Sequence, residues 1–496
     1  MNLLKRTTIR IFWGIFSLSI WMILVAAITK PLNNLIPKRM AVYTLVWVAL
    51  WAGVWFVLCQ IEKHCKGLGK LVRVGTPIFL LLFGTALYVV SCLLRSSLLT
   101  DYQNVYEAAY ALAMGEEITN WEYFAMWNNN VGCMVILALL FRAGKWLQGV
   151  MDLYYFVLFL NVLQVVGVVY CVYYLAGKTV KKHSTAASLM ALIMGGLWIP
   201  LWANTSIFYS DQISIGAGIF GVTLLVKGYE KKRRFLYCAL AGVFFGSGVI
   251  MKATVGTILV ALLIGVFLFG KLKKCWKEAV VTLGAALLVT LCFSLYFQSL
   301  PYQKDVERLK APVEYWIALG LGENGTYASS EGFAIRCLDA ENVEQRREIA
   351  REQIRDHIGN LWSVEHIIGK ARQNFGCGDM GAAGYLLYPK NENLLWNWFS
   401  QEGQYYWKYA CLSTAFFFSL LFLLGAGGLT QVFHKGDYGR ENFAFMVSAL
   451  AFWGLCLFLM LWEAQDKQLY NHSAWMMLSL IYSLKVLGEK IGARSQ

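Results

Sequence analysis

The chain is poor in charge. Of its 496 residues only 15% are Asp, Glu, Lys or Arg, against about 25% in an average soluble domain. An ordinary water-soluble core is therefore excluded as its main body. No CxxC pair occurs among the 12 cysteines, and most of these sit inside apolar runs. Zinc ribbons and thioredoxin-type redox sites are thereby set aside. The chain has no Walker motif, no GxSxG and no HExxH, and it lacks low-complexity linkers and short repeats. Nucleotide cradling by a P-loop, the nucleophile elbow and the zincin site lose their signatures.

What the chain does have is apolar sequence. Hydrophobic residues make up 58% of it, in runs of roughly 18–25 residues, the length that crosses a bilayer as a helix. The expected fold is an all-α polytopic membrane protein of about twelve crossings. These run near 8–28, 40–60, 75–94, 152–176, 185–204, 211–228, 235–251, 254–270, 279–298, 405–432, 442–462 and 472–488. The N-terminal run is longer than a signal-peptide core and lacks a small-residue cleavage site, so it reads as a retained first span. One further apolar piece, Val131–Phe141, is too short to cross and reads as a surface or re-entrant helix.

The net charge of +14 falls in short clusters between spans, as the positive-inside rule expects, and does not point to nucleic acid. With Lys5, Arg6 and Arg10 inside, the loops Glu62–Arg73, Lys178–Lys182, Lys227–Arg234 and Lys271–Lys277 and the tail from Lys485 are cytoplasmic and basic. His434–Arg440, around Asp437, is also inside; Lys30–Arg39 is mildly basic on the other side. A crossing at Val131–Phe141 would invert three of these clusters, which again makes that piece non-crossing. The expected organisation is a membrane module over 1–298 with a large outer loop at 95–150, an α-rich outer segment over 299–404, and a final membrane module over 405–496.

The outer face collects the residues able to do chemistry. Asp101 stands just after the third span, and Asp211 opens the sixth within NTSIFYSDQIS. Each reads either as a helix N-cap or as a carboxylate that handles a substrate hydroxyl. If 101–114 is helical, Asn104 shares a face with Asp101. Lys252 ends a span, where it either snorkels or meets a phosphate. Arg336 and Arg372 in the large loop, and Lys467 before the last span, have the same two readings. His357, Glu365 and His366 are the one group resembling metal ligands, without a known spacing, so a divalent cation stays open. Cys337 and Cys377 could pair if their segment meets an oxidising side. The glycines from Gly242 to Gly248 (GVFFGSG) suit close helix packing.

These positions resemble the C-type superfamily of integral-membrane glycosyltransferases, in particular the bacterial branch related to protein O-mannosyltransferases and aminoarabinose transferases. The family pattern places an Asp in the first outer loop, then Ala and Gly, then Tyr and an Asn element before a surface helix. Here these read Asp101, Ala108–Ala109, Gly115, Tyr123 and Asn128–Asn130, with Trp127 where the family has Pro. A basic hairpin followed by an outer Asp is similar to Lys178–Lys182 and Asp211, and WEAQDKQLYNHSAW resembles the family's last outer turn. The resemblance implies transfer of a sugar from a polyprenyl-phosphate-linked donor to a glycan, lipid or protein hydroxyl. It implies Asp101 and Asp211 as catalytic groups, and Lys252, Asn104, Tyr123, Asn129, Arg372 and Lys467 as substrate-binding ones. A flippase or transporter of lipid-linked sugars, or a polysaccharide polymerase or ligase, are the competing readings.

Overall fold

The computed structural model describes residues 3–29, 31–32, 35–229, 231–269, 272–300, 303–434 and 438–494. Lys30, Lys271 and Asp437 lie outside them. Among the described residues the chain is helical throughout, with one isolated bridge between Ser96 and Pro389. It is a polytopic membrane protein. Nine helices among the described residues are long and apolar enough to cross a bilayer.

Helices stand at all twelve expected crossings. They are α1 (Leu3–Thr29), α2 (Pro37–His64) and α3 (Leu68–Leu93), then, after three non-crossing helices, α4 (Thr100–Met114), α5 (Trp121–Met126) and α6 (Val131–Gly144), α7 (Leu153–Thr179). The fifth crossing is split into α8 (Ser184–Leu197) and α9 (Ile199–Asn204), because Pro200 sits in the first turn of α9. The sixth is split into α10 (Ser210–Ile213) and α11 (Ile215–Gly228). Then come α12 (Arg234–Met251), α13 (Gly256–Leu268) and α14 (Leu272–Gln298).

The large loop folds into α15 (Gln303–Leu309), α16 (Val313–Leu321), α17 (Glu331–Leu338), α18 (Val343–His357), α19 (Val364–Phe375), α20 (Ala382–Tyr385) and α21 (Leu394–Phe399). The chain closes with α22 (Tyr406–Val432), α23 (Arg440–Leu461) and α24 (Ser473–Arg494).

The non-crossing helix needs a physical argument, since Asn128–Leu147 is a 20-residue apolar helical stretch once its flanking turns are counted. Length therefore no longer excludes a crossing; topology does. α3 and α7 run antiparallel. Gly84 faces Val166, the Tyr88 hydroxyl meets the Tyr155 carbonyl at 3.5 Å, and Arg95 pairs with Asp152 at 2.9 Å. The end of α3 and the start of α7 thus lie together, and the segment between them leaves and returns on one face.

The long apolar helices alternate between that face and its opposite. At the opposite end Glu62 caps α8 by accepting from the Thr185 and Ala186 amides, and Glu441 joins Lys181 to Lys485. Close packing follows the glycines as expected: Gly242 and Gly246 let α12 lie against the α14 backbone at Thr282 and Ala286.

The large loop is tied down on the site face. The α15–α16 junction bonds to α5 through the Ala311 amide and the Met126 carbonyl, and Trp127 packs on Tyr315 and Trp316. Buried Arg346 donates to the carbonyls of Leu309, Leu338 and Ala340, which pins α18 across the loop. Buried Lys370 donates to the Gly320 carbonyl at 2.8 Å and the Trp462 carbonyl at 2.6 Å, joining α19 to α16 and α23. Burial lowers its pKa to about 7. No disulfide joins Cys337 and Cys377. The first packs in the loop's own apolar cluster and the second bonds to Asp379.

Candidate functional site

Neither Asp101 nor Asp211 is a helix cap. The N-cap of α4 is Leu99 and that of α10 is Tyr209, and each aspartate lies inside the first turn. Their side chains therefore do not cap these helices and meet other partners instead. Asp101 Oδ1 accepts from the Tyr123 hydroxyl at 2.8 Å. Tyr123 accepts in turn from the Asn130 amide at 2.6 Å, and Asn130 Oδ1 accepts from the Tyr209 hydroxyl at 3.0 Å. This chain links α4, α5, the Asn128–Asn130 turn and the start of α10. Burial, then the Asp101 charge, pushes the Tyr123 phenol well above the usual tyrosine range, so it stays a donor.

Asp211 is fully buried and pairs through Oδ2 with Lys252 Nζ at 2.9 Å, while the Lys252 side chain remains 21% exposed. Lys252 therefore does not snorkel away. Among the described residues Asp211 Oδ1 is buried without a hydrogen-bond partner, a condition that costs free energy unless a polar group meets it.

Lys467 closes the ring. Its Nζ lies 3.3 Å from the Tyr385 hydroxyl and over the rings of Tyr385 and Tyr209, 5.7 Å from each centroid. Burial works against its charge. Even so, Tyr385, Asp211 and Asp101 together hold the ammonium above the ordinary lysine range. Buried Glu463 adds a carboxyl that faces Lys467 and Lys252, and burial raises its pKa. Tyr102 completes an aromatic wall with Tyr209 and Tyr385, its ring 6.1 Å from each.

Asp101, Asp211, Lys252, Lys467 and Tyr123 thus come together from the start of α4, α5, α10, the end of α12 and the turn before α24. The other expected binding residues do not join them. Asn104 bonds to Asn120 at 2.8 Å and so fixes the turn before α5. Asn129 is exposed and touches the network only at its edge, its amide donating to Asn130 Oδ1 at 3.3 Å, while Asn130 itself meets Tyr123 and Tyr209. Arg372 lies on α19 with Nε buried and unbonded, and no contact to the site residues is seen among the described residues.

Arg336 pairs with Glu352 on the loop surface. Tyr209, Tyr385, Asn130 and Glu463 are additions. Tyr209 and Asn130 lay inside stretches already marked by their polarity, whereas Tyr385 lay in the stretch KARQNFGCGDMGAAGYL of the large loop, which was not read as part of the site. Gly320-Leu321-Gly322-Glu323-Asn324-Gly325 has dinucleotide-fingerprint spacing, but it ends α16 with no strand before it and so lacks the required context.

A metal finds poor support. His357, Glu365 and His366 do not gather. The one candidate group among the described residues is Cys377, Asp379 and Asp466, whose ligand atoms lie within 4.8 Å of one another. Asp379 already accepts from the Cys377 thiol, the Gly381 and Ala383 amides and the Tyr406 hydroxyl. Its lone pairs are taken up by protein donors, which does not fit a cation site.

The fold and site together define a polytopic membrane protein with two carboxylates, two ammonium groups and a tyrosine wall gathered on one face. Such a set can take a proton from a hydroxyl and offset negative charge on a phosphate. No protein-family model and no curated protein matches the chain. Among solved structures it is similar to the archaeal oligosaccharyltransferase AglB from Archaeoglobus fulgidus, in complex with an inhibitory peptide and a dolichol-phosphate. The identity is 13% and the TM-score 0.34, over 85% of this chain and 52% of that one. The chain thus spans about half the length of that neighbour.

Proposed function

We propose that the chain is a membrane glycosyltransferase that moves a sugar from a polyprenyl-phosphate-linked donor to an acceptor hydroxyl on the extracytoplasmic side. The observation that carries this reading is the meeting of Asp101, Asp211, Lys252 and Lys467 between the two large loops. The acceptor class is a cell-envelope glycan, a glycolipid or a protein. The sidedness rests on charge: the loops at the opposite ends of the helices hold the clusters Lys178–Lys182 and Lys231–Arg234, which the positive-inside rule assigns to the cytoplasm.

In this reading the carrier lipid lies among the helices, with its phosphate at Lys252 and Lys467. Asp101 accepts the proton of the acceptor hydroxyl. The acceptor oxygen bonds to the anomeric carbon as the carbon–oxygen bond to the phosphate breaks. The electron pair leaves on the polyprenyl phosphate, where the two ammonium groups offset its charge. The configuration inverts in this single step. Asp211 orients Lys252, and its unpartnered oxygen takes a sugar hydroxyl.

The test is sugar transfer by the purified chain in proteoliposomes supplied with labelled polyprenyl-phosphate sugars and envelope extract. Glycosylated product with release of polyprenyl phosphate supports the enzyme. Movement of the labelled lipid across the bilayer without product would establish the flippase instead.

A further inference from the structure

The glycine-rich stretch that ends α16 is no nucleotide cradle, yet it forms one wall of a cavity of about 530 Å³ in the large loop. The other walls are α17, through Phe333 and Arg336, and α18, through Gln353 and His357. That volume falls within the range of pockets that hold small ligands, about 300–1,000 Å³. The cavity serves no step in the proposed transfer.

Its lining carries polar groups with hydrogen-bonding capacity to spare. His357 Nδ1 lies 3.0 Å from the Gln353 carbonyl. A carbonyl only accepts, so the neutral ring donates from Nδ1 and presents Nε2 as an acceptor. Arg336 meets Glu352 at 3.5 Å through one terminal nitrogen, which leaves other N–H groups of its fork to donate. Glu323 gives its backbone carbonyl to His366, and its exposed carboxylate has no partner among the described residues. The Gln353 amide adds a donor and an acceptor. The charges balance, since Glu323 opposes an Arg336 that Glu352 already offsets. An anion therefore finds no net positive charge here, and an acyl chain finds little apolar lining beyond Phe333. The set suits a neutral ligand rich in hydroxyls, because each hydroxyl both donates and accepts.

The wall is held in place before any ligand arrives. Ser329 Oγ accepts from the Asn324 and Thr326 amides at 3.4 and 3.3 Å, and the Asn360 amide donates to the Leu321 carbonyl at 2.8 Å. A Cβ on Gly322 would sit 2.1 Å from Ser330 Oγ, so glycine is required at that edge. The same wall docks on the site. The Ala464 amide, just before Lys467 in the chain, donates to the Gly325 carbonyl at 2.6 Å. Behind Phe333, Tyr315 stacks at 5.8 Å, and Trp127 lies 5.9 Å from Tyr315 at the end of α5, the helix that carries Tyr123. The cavity is thus built on the segments that bear Lys467 and Tyr123.

We infer that this cavity is a glycan subsite, which takes sugar units of a polysaccharide acceptor beyond the unit whose hydroxyl reacts. The acceptor class is thereby narrowed to a glycan. Glu323, Gln353, His357 and Arg336 bind; no bond forms or breaks in the cavity. Its part in transfer rests on the proposed glycosyl transfer, whereas the binding of sugar does not.

The experiment is a saturation-transfer NMR titration of the full chain in nanodiscs with neutral trisaccharides of glucose, galactose, mannose and N-acetylglucosamine. A parallel phosphorus NMR titration uses inorganic phosphate. Wild type is compared with Glu323→Ala, His357→Ala and Gly332→Trp. Gly332 lines the cavity and a Cβ there would meet nothing within 4 Å, so a large side chain enters open space and leaves the core undisturbed. Melting curves check that the four proteins fold alike. The subsite predicts that wild type binds at least one trisaccharide, that E323A and H357A weaken this binding about tenfold, and that G332W abolishes it. Binding of no trisaccharide by wild type, equal binding in all four proteins, or tighter binding of phosphate than of any sugar would overturn the subsite. In the transfer assay with a polysaccharide acceptor, the variants should raise KM for the acceptor and leave kcat and KM for the lipid donor unchanged. Variant-sensitive sugar binding by a chain that transfers nothing would end the glycosyl-transfer reading and keep the sugar site. Transfer with an unchanged acceptor KM in all three variants would end the subsite and keep the reading.

Discussion

Asp211 is the residue most exposed to loss of a partner. It is fully buried, and among the described residues its ion-pair partner is Lys252. Removing one member of such a pair strands a buried charge, which costs about 3 kcal/mol at the lower end of the usual range, fitting because Lys252 is partly solvated. Lys252→Ala should therefore lower the melting temperature, and the double variant Asp211→Asn, Lys252→Met should regain most of it. Both should lose transfer, as read by product formation. Recovery of activity in the double variant would count against the phosphate role of Lys252. The residue scale is also where sequence reading was least complete. Asp101, Asp211, Lys252 and Lys467 are legible because charge beside an apolar span is costly. Tyr385 is not, because its place in the site depends on Lys467, 82 residues away in the chain.

At the scale of elements, α6 is the member that fixes the site's edge. Its first residues place Asn130 between Tyr123 and Tyr209, and Gly132 lets it lie on the end of α12. A Cβ on Gly132 would sit 2.0 Å from the Ile250 carbonyl oxygen, a backbone atom that cannot turn aside. Gly132→Ala should cost about 1–3 kcal/mol by overpacking. It should also spread α6 from α12, parting Asn130 from Lys252 and lowering transfer more than stability alone explains. Parallel melting and activity curves check this. The helices at the twelve apolar runs were legible, nine of the described helices being long and apolar enough to cross, and the breaks within the fifth and sixth runs were not. Charge read α6 as non-crossing, and the pairing of α3 with α7 favours that, whereas its apparent shortness was misleading: the flanking turns extend it to 20 residues.

At the scale of the whole molecule, the alternation of helices puts every site residue on one face and the basic hairpins on the other. Single cysteines introduced at Glu331 and at Lys182, both on exposed turns or helix starts, should differ in intact cells. A membrane-impermeant maleimide should label the first and spare the second; the reverse pattern would invert the proposed sidedness. The account as a whole turns on Asp101, released from capping and held by one phenol. The most direct measurement is the transfer rate of Asp101→Asn in proteoliposomes, alongside its binding of the labelled polyprenyl-phosphate sugar. The account predicts a rate lower by about 10²–10⁴-fold with donor binding retained. Transfer at the wild-type rate would contradict it.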